Sequence, residues 1–356
     1  MISIICPTRN ESGNIRLLLK KINDYVKIKY EIIFVDDDSS DGTVEIIKKI
    51  SKKNSDVRFI SRFKEKNLSS AVALGISSAK YDYVIVIDAD LQHDIANINT
   101  MYEVAIKQNM DLVISSRFVD NDEKGYSKNR ELLSIFGNKV INKVLSKKLS
   151  DPLSGCFLIK TSFFNTIKHK LILRGYKILF DILTSCNLEK YNLTEVPIKF
   201  HKRHFGESKL SKKVIFDFIL SYLLRITNRI IPINFFKFSI VGLFGVGIHL
   251  IILNFLLEQY YTSFAISQFI AALITMNINF YLNNNFTFVE DKLIKYSAFK
   301  GLIKFILFCS IGALISARVG SFFFDLTEYT NLSAFIGIVF GSITNYVLNR
   351  NFTWKR

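Results

Sequence analysis

Cysteine is scarce in this chain, and its placement excludes two classes at once. Four cysteines stand among 356 residues, at Cys6, Cys156, Cys186 and Cys309. They have no metal-ligand spacing, and nothing suggests a disulfide framework. No glycine-rich phosphate loop is present, and no Ser/His/Asp or Cys/His series stands out. That argues against an NTPase or an esterase. The N-terminus, "MISIICPTRNE", lacks the form of a signal peptide, since a short apolar run meets polar residues at once. The first segment is therefore expected to stay in the cytosol. Acidic residues are also few, 31 against 47 Lys and Arg, which leaves a net charge of +16. Anionic partners follow: nucleic acid, phosphorylated substrates or an anionic membrane face.

What is abundant is apolar sequence, 49% of the chain. Through residue 120 it comes as short Val/Ile-rich runs alternating with amphipathic helical patterns. "ISIIC", "YEIIFVD", "DVRFIS" and "YDYVIVIDAD" each precede such a pattern, and "DLVISS" is the last strand of the series. That β-α order predicts a mostly parallel sheet with helices on both faces. Ligands of such sheets sit at the carboxyl ends of strands. The polar clusters "PTRNE", "VDDDSSDGT", "DADLQH" and "SSRF" fall there.

The character changes near residue 231. Segments about 235–257, 263–283, 301–324 and 331–349 are each long and apolar enough to span a bilayer, which takes about 20 residues. The loops after the first and third, "EQYYTS" and "DLTEYT", hold no Lys or Arg. The other side holds Lys212, Lys213, Arg225, Arg229, Lys292, Lys295, Lys300, Lys304, Arg350, Lys355 and Arg356. The positive-inside rule then puts both termini and the whole first domain in the cytoplasm. The membrane part repeats itself: "NFYLNNNFTF" and "NYVLNRNFTW" end the second and fourth segments, and "FKFSIVGLFG" and "IKFILFCSIG" begin the first and third. Two hairpins in one orientation are thus related by duplication. Inside them, His249 and Arg318 either mark a functional site or pair within the bundle. Residues 210–231 read as an amphipathic helix on the cytosolic membrane surface, or as a surface helix packed on the first domain. "FGNKVINKVLSKK" is a weaker candidate for the same role.

The chemistry gathers in "IDADLQHD", which closes a buried strand with crowded carboxylates. Two acids on alternate positions resist ionising together unless a cation lies between them. Asp88 and Asp90, with the Gln92 carbonyl two residues on, offer oxygen donors suited to Mg²⁺ or Mn²⁺. His93 reads as a structural or supporting residue, since hard cations prefer oxygen. In "VDDDSSDGT", Asp36, Asp37 and Asp38 stand where a base or sugar would be held, and Asp41 reads as the cap of the next helix. Arg117, Arg130, Arg203 and Lys209 are solvated charges taken singly and a phosphate clamp taken together.

These residues carry a resemblance. "CPTRNE", "VDDDSSDGT", "NLSSAVALG", "DADLQH", "SSRF", "DPLSGCFLIK", "GYKILFDIL" and "VPIKFHKRHFGESKLS" follow in an order that resembles polyprenyl-phosphate sugar synthases of the dolichyl-phosphate mannose synthase type. These are family-2 glycosyltransferases with a GT-A, Rossmann-like fold. "LSSAV" favours the mannose branch, and the last third is similar to the four-helix GtrA-like domain fused to some members. The resemblance implies a GT-A domain over 1–209, a membrane-surface helix over 210–231 and a GtrA-like domain over 232–356 in a multi-pass protein of the cell membrane.

By the same resemblance, Pro7, Asn10, Glu11, Asp36 and Asp37 hold the nucleotide, and Asp88, Asp90 and Gln92 hold the metal on the donor diphosphate. Arg117 and Arg130 meet the lipid phosphate beside Ser134, and Arg203 and Lys209 close over the donor. Arg9 replaces the usual Tyr, and Asp181 replaces the usual Glu. The implied reaction is inverting hexose transfer, mannose from GDP-mannose, to a polyprenyl (dolichyl) phosphate at the lipid membrane, with no nucleic acid involved. The acceptor is already anionic, so orientation and charge stabilisation suffice without a general base. UDP-glucose is the alternative donor, and a lipid-linked sugar translocator with a non-catalytic first domain is the non-enzymatic alternative. A processive polysaccharide synthase lacks its Gln-x-x-Arg-Trp here, the one tryptophan being Trp354.

Overall fold

The computed structural model describes residues 1–63, 67–118, 137–173, 176–198, 212–227, 230–260 and 263–354. They form two compact units, Met1–Ile226 and Thr227–Arg356.

The first unit is built on a sheet of β1 (Ile2–Thr8), β2 (Tyr30–Asp37), β3 (Val57–Arg62), β4 (Tyr83–Val86), β5 (Leu112–Ser116), β6 (Phe157–Lys160) and β7 (Leu193–Pro197), in the order β3-β2-β1-β4-β6-β5-β7. β6 runs antiparallel to β4 and β5, and the other pairings are parallel. Both faces are covered, so β1 and β2 are apolar on alternate and adjacent positions alike. Ile4, Ile32 and Phe34 pack on one side with Ile15, Leu18 and Ile22 of α1 (Ser12–Tyr25). Ile5, Ile33 and Val35 pack on the other with Val72 and Ile76 of α3 (Leu68–Ser77). α2 (Thr43–Ser51) and α4 (Asn97–Lys107) complete the alternating series. "DLVISS" is the last strand of the series read through residue 120, and two further strands follow it. β6 is only four residues long, and β7 pairs with β5 alone and ends in Pro197, a residue tolerated at a sheet edge.

Between and after these strands come α5 (Thr161–Ile167), α6 (Ile178–Leu183) and α7 (Lys212–Ile226). α7 belongs to the first unit. Phe218 and Tyr222 lie 5.4 and 6.2 Å from the Phe180 ring, and the Tyr222 hydroxyl donates to the Val140 carbonyl at 3.2 Å. Ile215, Ile219 and Ile226 remain exposed. One face of the helix is therefore a packing face of the domain and another is apolar and uncovered. Of "FGNKVINKVLSKK", only 137–141 is described as helix, and its Ile141 is fully buried.

The second unit holds α8 (Ile233–Tyr260), α9 (Phe264–Leu282), α10 (Lys295–Thr327) and α11 (Thr330–Leu348). Among the described residues, Ile233–Gln259 and Lys295–Thr327 are the helices long and apolar enough to cross a membrane. α9 and α11 have 19 residues each. The sequence duplication is visible in detail. Each of these helices ends in one π turn, Asn283–Thr287 and Asn349–Thr353. Asn283 and Asn349 each donate to the carbonyl four residues back at 2.9 Å, and each accepts from Thr287 or Thr353. Asn284 joins the two repeats, because its Oδ1 accepts from Trp354 Nε1 at 3.0 Å and from Leu293 N at 2.8 Å. Over that bond, the Trp354 and Phe288 rings stack at 4.3 Å.

α10 and α11 approach closely through small residues, as membrane helices do. A Cβ on Gly337 would collide with the Ser316 carbonyl, and one on Gly341 would lie 2.8 Å from that of Gly312. His249 pairs with Gln268 of the neighbouring helix at 3.1 Å, while Arg318 is exposed on α10.

Candidate functional site

A cleft of about 390 Å³ opens where β1, β2 and β4 end. Pro7, Asn10, Glu11, Asp37, Asp88 and Asp90 line it, together with Arg9, Asn67 and Tyr176. The loops that bring them there carry left-handed backbone at non-glycine residues, Asn10 (φ 55°), Asp38 (φ 57°) and Leu91 (φ 61°). Such conformations cost about 1–3 kcal/mol each and persist where surrounding contacts impose them. Asn10 is held at both ends, since its N–H donates to Ser39 Oγ at 2.8 Å and its Oδ1 accepts from Ser40 N at 2.9 Å.

Of the five residues expected to hold the nucleotide, Asp36 is the one that does not line the cleft. It is fully buried, and its carboxylate accepts from Thr8 Oγ1, Ser39 N and Ser39 Oγ. Adjacent strand residues point to opposite faces, so only one of two neighbouring acids can reach a given surface. That one is Asp37. Its Oδ2 accepts from Asn67 N at 2.9 Å, and its Oδ1 lies 3.3 Å from Arg62 Nε. Burial raises its pKa, Arg62 and the Asn67 N–H oppose the rise, and Asp36 adds to it. Asp41 stands one residue before the α2 cap, which is Gly42, and it bridges two helix starts. Its carboxylate accepts from Thr43 Oγ1 at 2.5 Å, from Ser12 N at 3.0 Å and from Thr43 N at 3.1 Å. Burial works against ionisation, but these bonds outweigh it and hold the pKa at about 2.

The two acids of the metal expectation lie together after β4. Asp90 is 6% exposed, and its Oδ1 accepts from Gln92 N at 3.1 Å. Gln92 itself is not among the cleft-lining residues. Buried His93 supports Asp88 from behind, Nδ1 accepting from the Asp88 N–H at 3.4 Å and Nε2 lying 3.9 Å from Oδ2. Gly155 closes the other side: a Cβ there would lie 2.7 Å from Asp88 Oδ2. No group of three His, Cys, Asp or Glu capable of holding a metal occurs among the described residues. Two carboxylates and an amide nonetheless fit a hard cation whose other ligands come from water and phosphate. The local field agrees, because Cys6 beneath the site has its pKa raised well above normal, first by burial and then by Asp88, Glu11 and Asp90.

A cationic corner adjoins these acids. Arg117 forms a two-pronged pair with Asp151, Nε to Oδ2 at 2.5 Å and NH2 to Oδ1 at 2.6 Å, and the Asp151 side chain is 0% exposed. Ser150 and Asp151 are in turn fixed by Glu195 of β7, which accepts their backbone N–H groups. Lys177 donates to the Leu153 carbonyl at 2.9 Å. Burial and then Arg117 lower its pKa, against Asp151 and Asp88. Arg130, Ser134, Arg203 and Lys209 lie outside the described residues. Asn67, Asp151, Tyr176 and Lys177 were not singled out from the sequence. Their only signal was membership of "NLSSAVALG", "DPLSG" and "GYKIL".

Residues 3–168 match the glycosyl transferase family 2, and residues 237–354 match the GtrA/DPMS transmembrane domain. A dolichol-phosphate mannosyltransferase of Pyrococcus furiosus is 34% identical over 99% of this chain and 99% of its own length. Another, of Mycosarcoma maydis, is 31% identical over 70% of this chain and 85% of its own. A solved structure of glucosyl-3-phosphoglycerate synthase from Mycobacterium tuberculosis, with Mn²⁺, UDP-glucose and phosphoglyceric acid, is similar at a TM-score of 0.50 and 16% identity. That likeness covers 63% of this chain and 79% of the other, and it shows a shared GT-A-like fold. A cleft at the strand ends, acids crowded beside it and full-length kinship all agree: the chain belongs to the dolichol-phosphate mannosyltransferase family, and is a family-2 glycosyltransferase carrying a GtrA/DPMS membrane domain.

Proposed function

We propose that the protein transfers mannose from GDP-mannose to a polyprenyl (dolichyl) phosphate, with inversion at the sugar carbon. The observation that supports this most is the end-to-end match to a named dolichol-phosphate mannosyltransferase, through the catalytic and membrane parts alike. In this reading Pro7, Asn10, Glu11 and Asp37 receive the nucleoside, with Asp36 fixing the loop behind them. Asp88, Asp90 and Gln92 would hold Mg²⁺ or Mn²⁺, which when bound neutralises the departing diphosphate. Arg117, oriented by Asp151, would meet the lipid phosphate with Arg130 and Ser134, while Arg203 and Lys209 close over the donor.

No side chain is asked to remove a proton, because the acceptor phosphate is an anion at neutral pH. Catalysis rests on alignment of two phosphates and a sugar and on charges already in place. The catalytic unit and both termini face the cytoplasm, and α8 to α11 cross the membrane as two duplicated hairpins. The deciding experiment is transfer by the purified protein to a short polyprenyl phosphate with GDP-mannose, UDP-glucose and no donor, scored by product mass and by anomeric coupling in NMR. A β-mannosyl lipid is expected. Faster transfer from UDP-glucose overturns the sugar assignment, and no transfer from any nucleotide sugar favours a translocator.

A further inference from the structure

A chain of hydrogen bonds, headed by a buried ion pair, runs from the helix before the membrane domain to the cleft. Arg225 of α7 and Asp181 of α6 form a close ion pair between NH2 and Oδ1, with side chains 10% and 7% exposed. The same NH2 also lies within hydrogen-bond reach of the carbonyls of Lys170 at 3.0 Å and Asp181 at 3.2 Å, and of Ser185 Oγ at 2.7 Å, which share its two hydrogens. The other oxygen of Asp181 accepts from Ile172 N at 2.7 Å and Leu173 N at 2.8 Å. Leu173 has φ 54°, a conformation a leucine holds only when its surroundings impose it. Its carbonyl accepts from Asn67 Nδ2 at 2.6 Å. The Asn67 N–H then donates to Asp37 Oδ2 at 2.9 Å, at the wall of the cleft. Tyr176, three residues beyond Leu173, lines the cleft and also a small cavity shared with Phe218 and Ser221 of α7.

We infer that Arg225 and Asp181 are positioning residues: through the 172–173 backbone and Asn67 they set Asp37, so that seating of α7 governs how well the cleft takes a nucleotide. A carboxylate is needed at 181 because it alone offers acceptors to a guanidinium on one side and two backbone N–H groups on the other. A guanidinium suits 225 because NH2 meets this cluster while NH1 reaches the Thr184 carbonyl at 3.5 Å, a planar spread of donors that an ammonium's single nitrogen does not reproduce. That the cleft takes a nucleoside diphosphate is the reading proposed above, and this inference rests on it.

The test uses full-length protein in detergent. Arg225→Ala should speed amide exchange at Ile172, Leu173 and Asn67 while Ile32 and Val57, in the distant half of the sheet, keep their protection. Loss of the buried charge-assisted contacts should weaken binding of GDP or UDP with Mn²⁺ about tenfold by calorimetry. Asn67→Ser keeps a helix-capping oxygen but loses the reach to Leu173, and should weaken binding to a similar degree.

The double variant should bind about as well as either single one, because one cut already severs the chain. Arg225→Lys should fall between wild type and Arg225→Ala, and it carries the same cycle where the alanine variant does not fold. Multiplied losses in the double variant, or unchanged nucleotide affinity in the Arg225 variants, overturn the inference. Should the wild type bind neither nucleotide, the nucleotide reading fails separately. Exchange at 172–173 then decides the coupling: faster supports it, and unchanged overturns it.

Discussion

Replacing Gly155 by Ala should separate metal binding from stability in this protein. The added methyl would lie 2.7 Å from Asp88 Oδ2 and 3.4 Å from His93 Cε1. Ordinary contacts are roughly 3.5 Å or more, so the first is a clash and the second is nearly tolerable. The Asp88 side chain is 39% exposed, so it can swing outward into solvent and relieve the clash. The fold then loses little, roughly 1 kcal/mol or less. Bringing Asp88 back to meet a cation would force it off its rotamer, at about 0.5–1.5 kcal/mol, or abandon one ligand altogether. Since 1.4 kcal/mol is tenfold in a binding constant, Mn²⁺ affinity should fall about tenfold. The assay is direct Mn²⁺ binding by electron paramagnetic resonance, paired with a melting curve of the metal-free protein. Unchanged Mn²⁺ affinity would refute the placement of Asp88 on the metal. A large drop in the melting temperature would refute the claim that Asp88 can move aside.

Asp90→Asn removes a charge but no volume at a buried oxygen donor, so metal-dependent transfer should fall to background with the melting temperature nearly unchanged; transfer at the wild-type rate would sink the assignment. Arg117→Ala should reduce turnover on the lipid acceptor about ten- to a hundredfold, with donor affinity retained. Arg117→Lys should recover only part, and normal acceptor kinetics in both would return Arg117 to the donor side. For Asp41, the folded pKa of about 2 lies below the unfolded value of 3.8. Its stabilisation is therefore present above pH ~4 and is lost as pH falls toward 2. Asp41→Asn should flatten that part of the acid-unfolding curve, and parallel curves for the two proteins would contradict the sign.

Much of the catalytic fold is legible because its first five strands are apolar runs, each cut by a polar cluster. β6 and β7 are not, since "FLIK" and "LTEVP" are too short and mixed to show a period. The acids at 36 and 37 announce a site, but the sequence cannot say which of two adjacent side chains faces the cleft. Hydrogen bonds from Thr8 and Ser39 decide it. Lys177 and Asn67 were silent for a different reason. A lone polar residue acquires meaning only from partners distant in sequence, such as Leu153 for one and Leu173 for the other. α7 was ambiguous because an amphipathic stripe suits a lipid surface and a protein surface equally, and here the stripe is wide enough to present Phe218 to the domain and Ile219 to the outside.

The bond from Trp354 to Asn284 spans 70 residues of chain. During synthesis the first hairpin therefore emerges well before the residue that completes it. Until Trp354 arrives, Phe280 and Phe288 lack the indole that stacks on both, and the Asn284 oxygen has, among the described residues, the Leu293 N–H alone. The half-made domain is thus an unfinished apolar surface, of the kind that is prone to wrong contacts until its partner arrives. A duplication that began as two like hairpins has become a sequence of dependence, in which the later copy locks the earlier one.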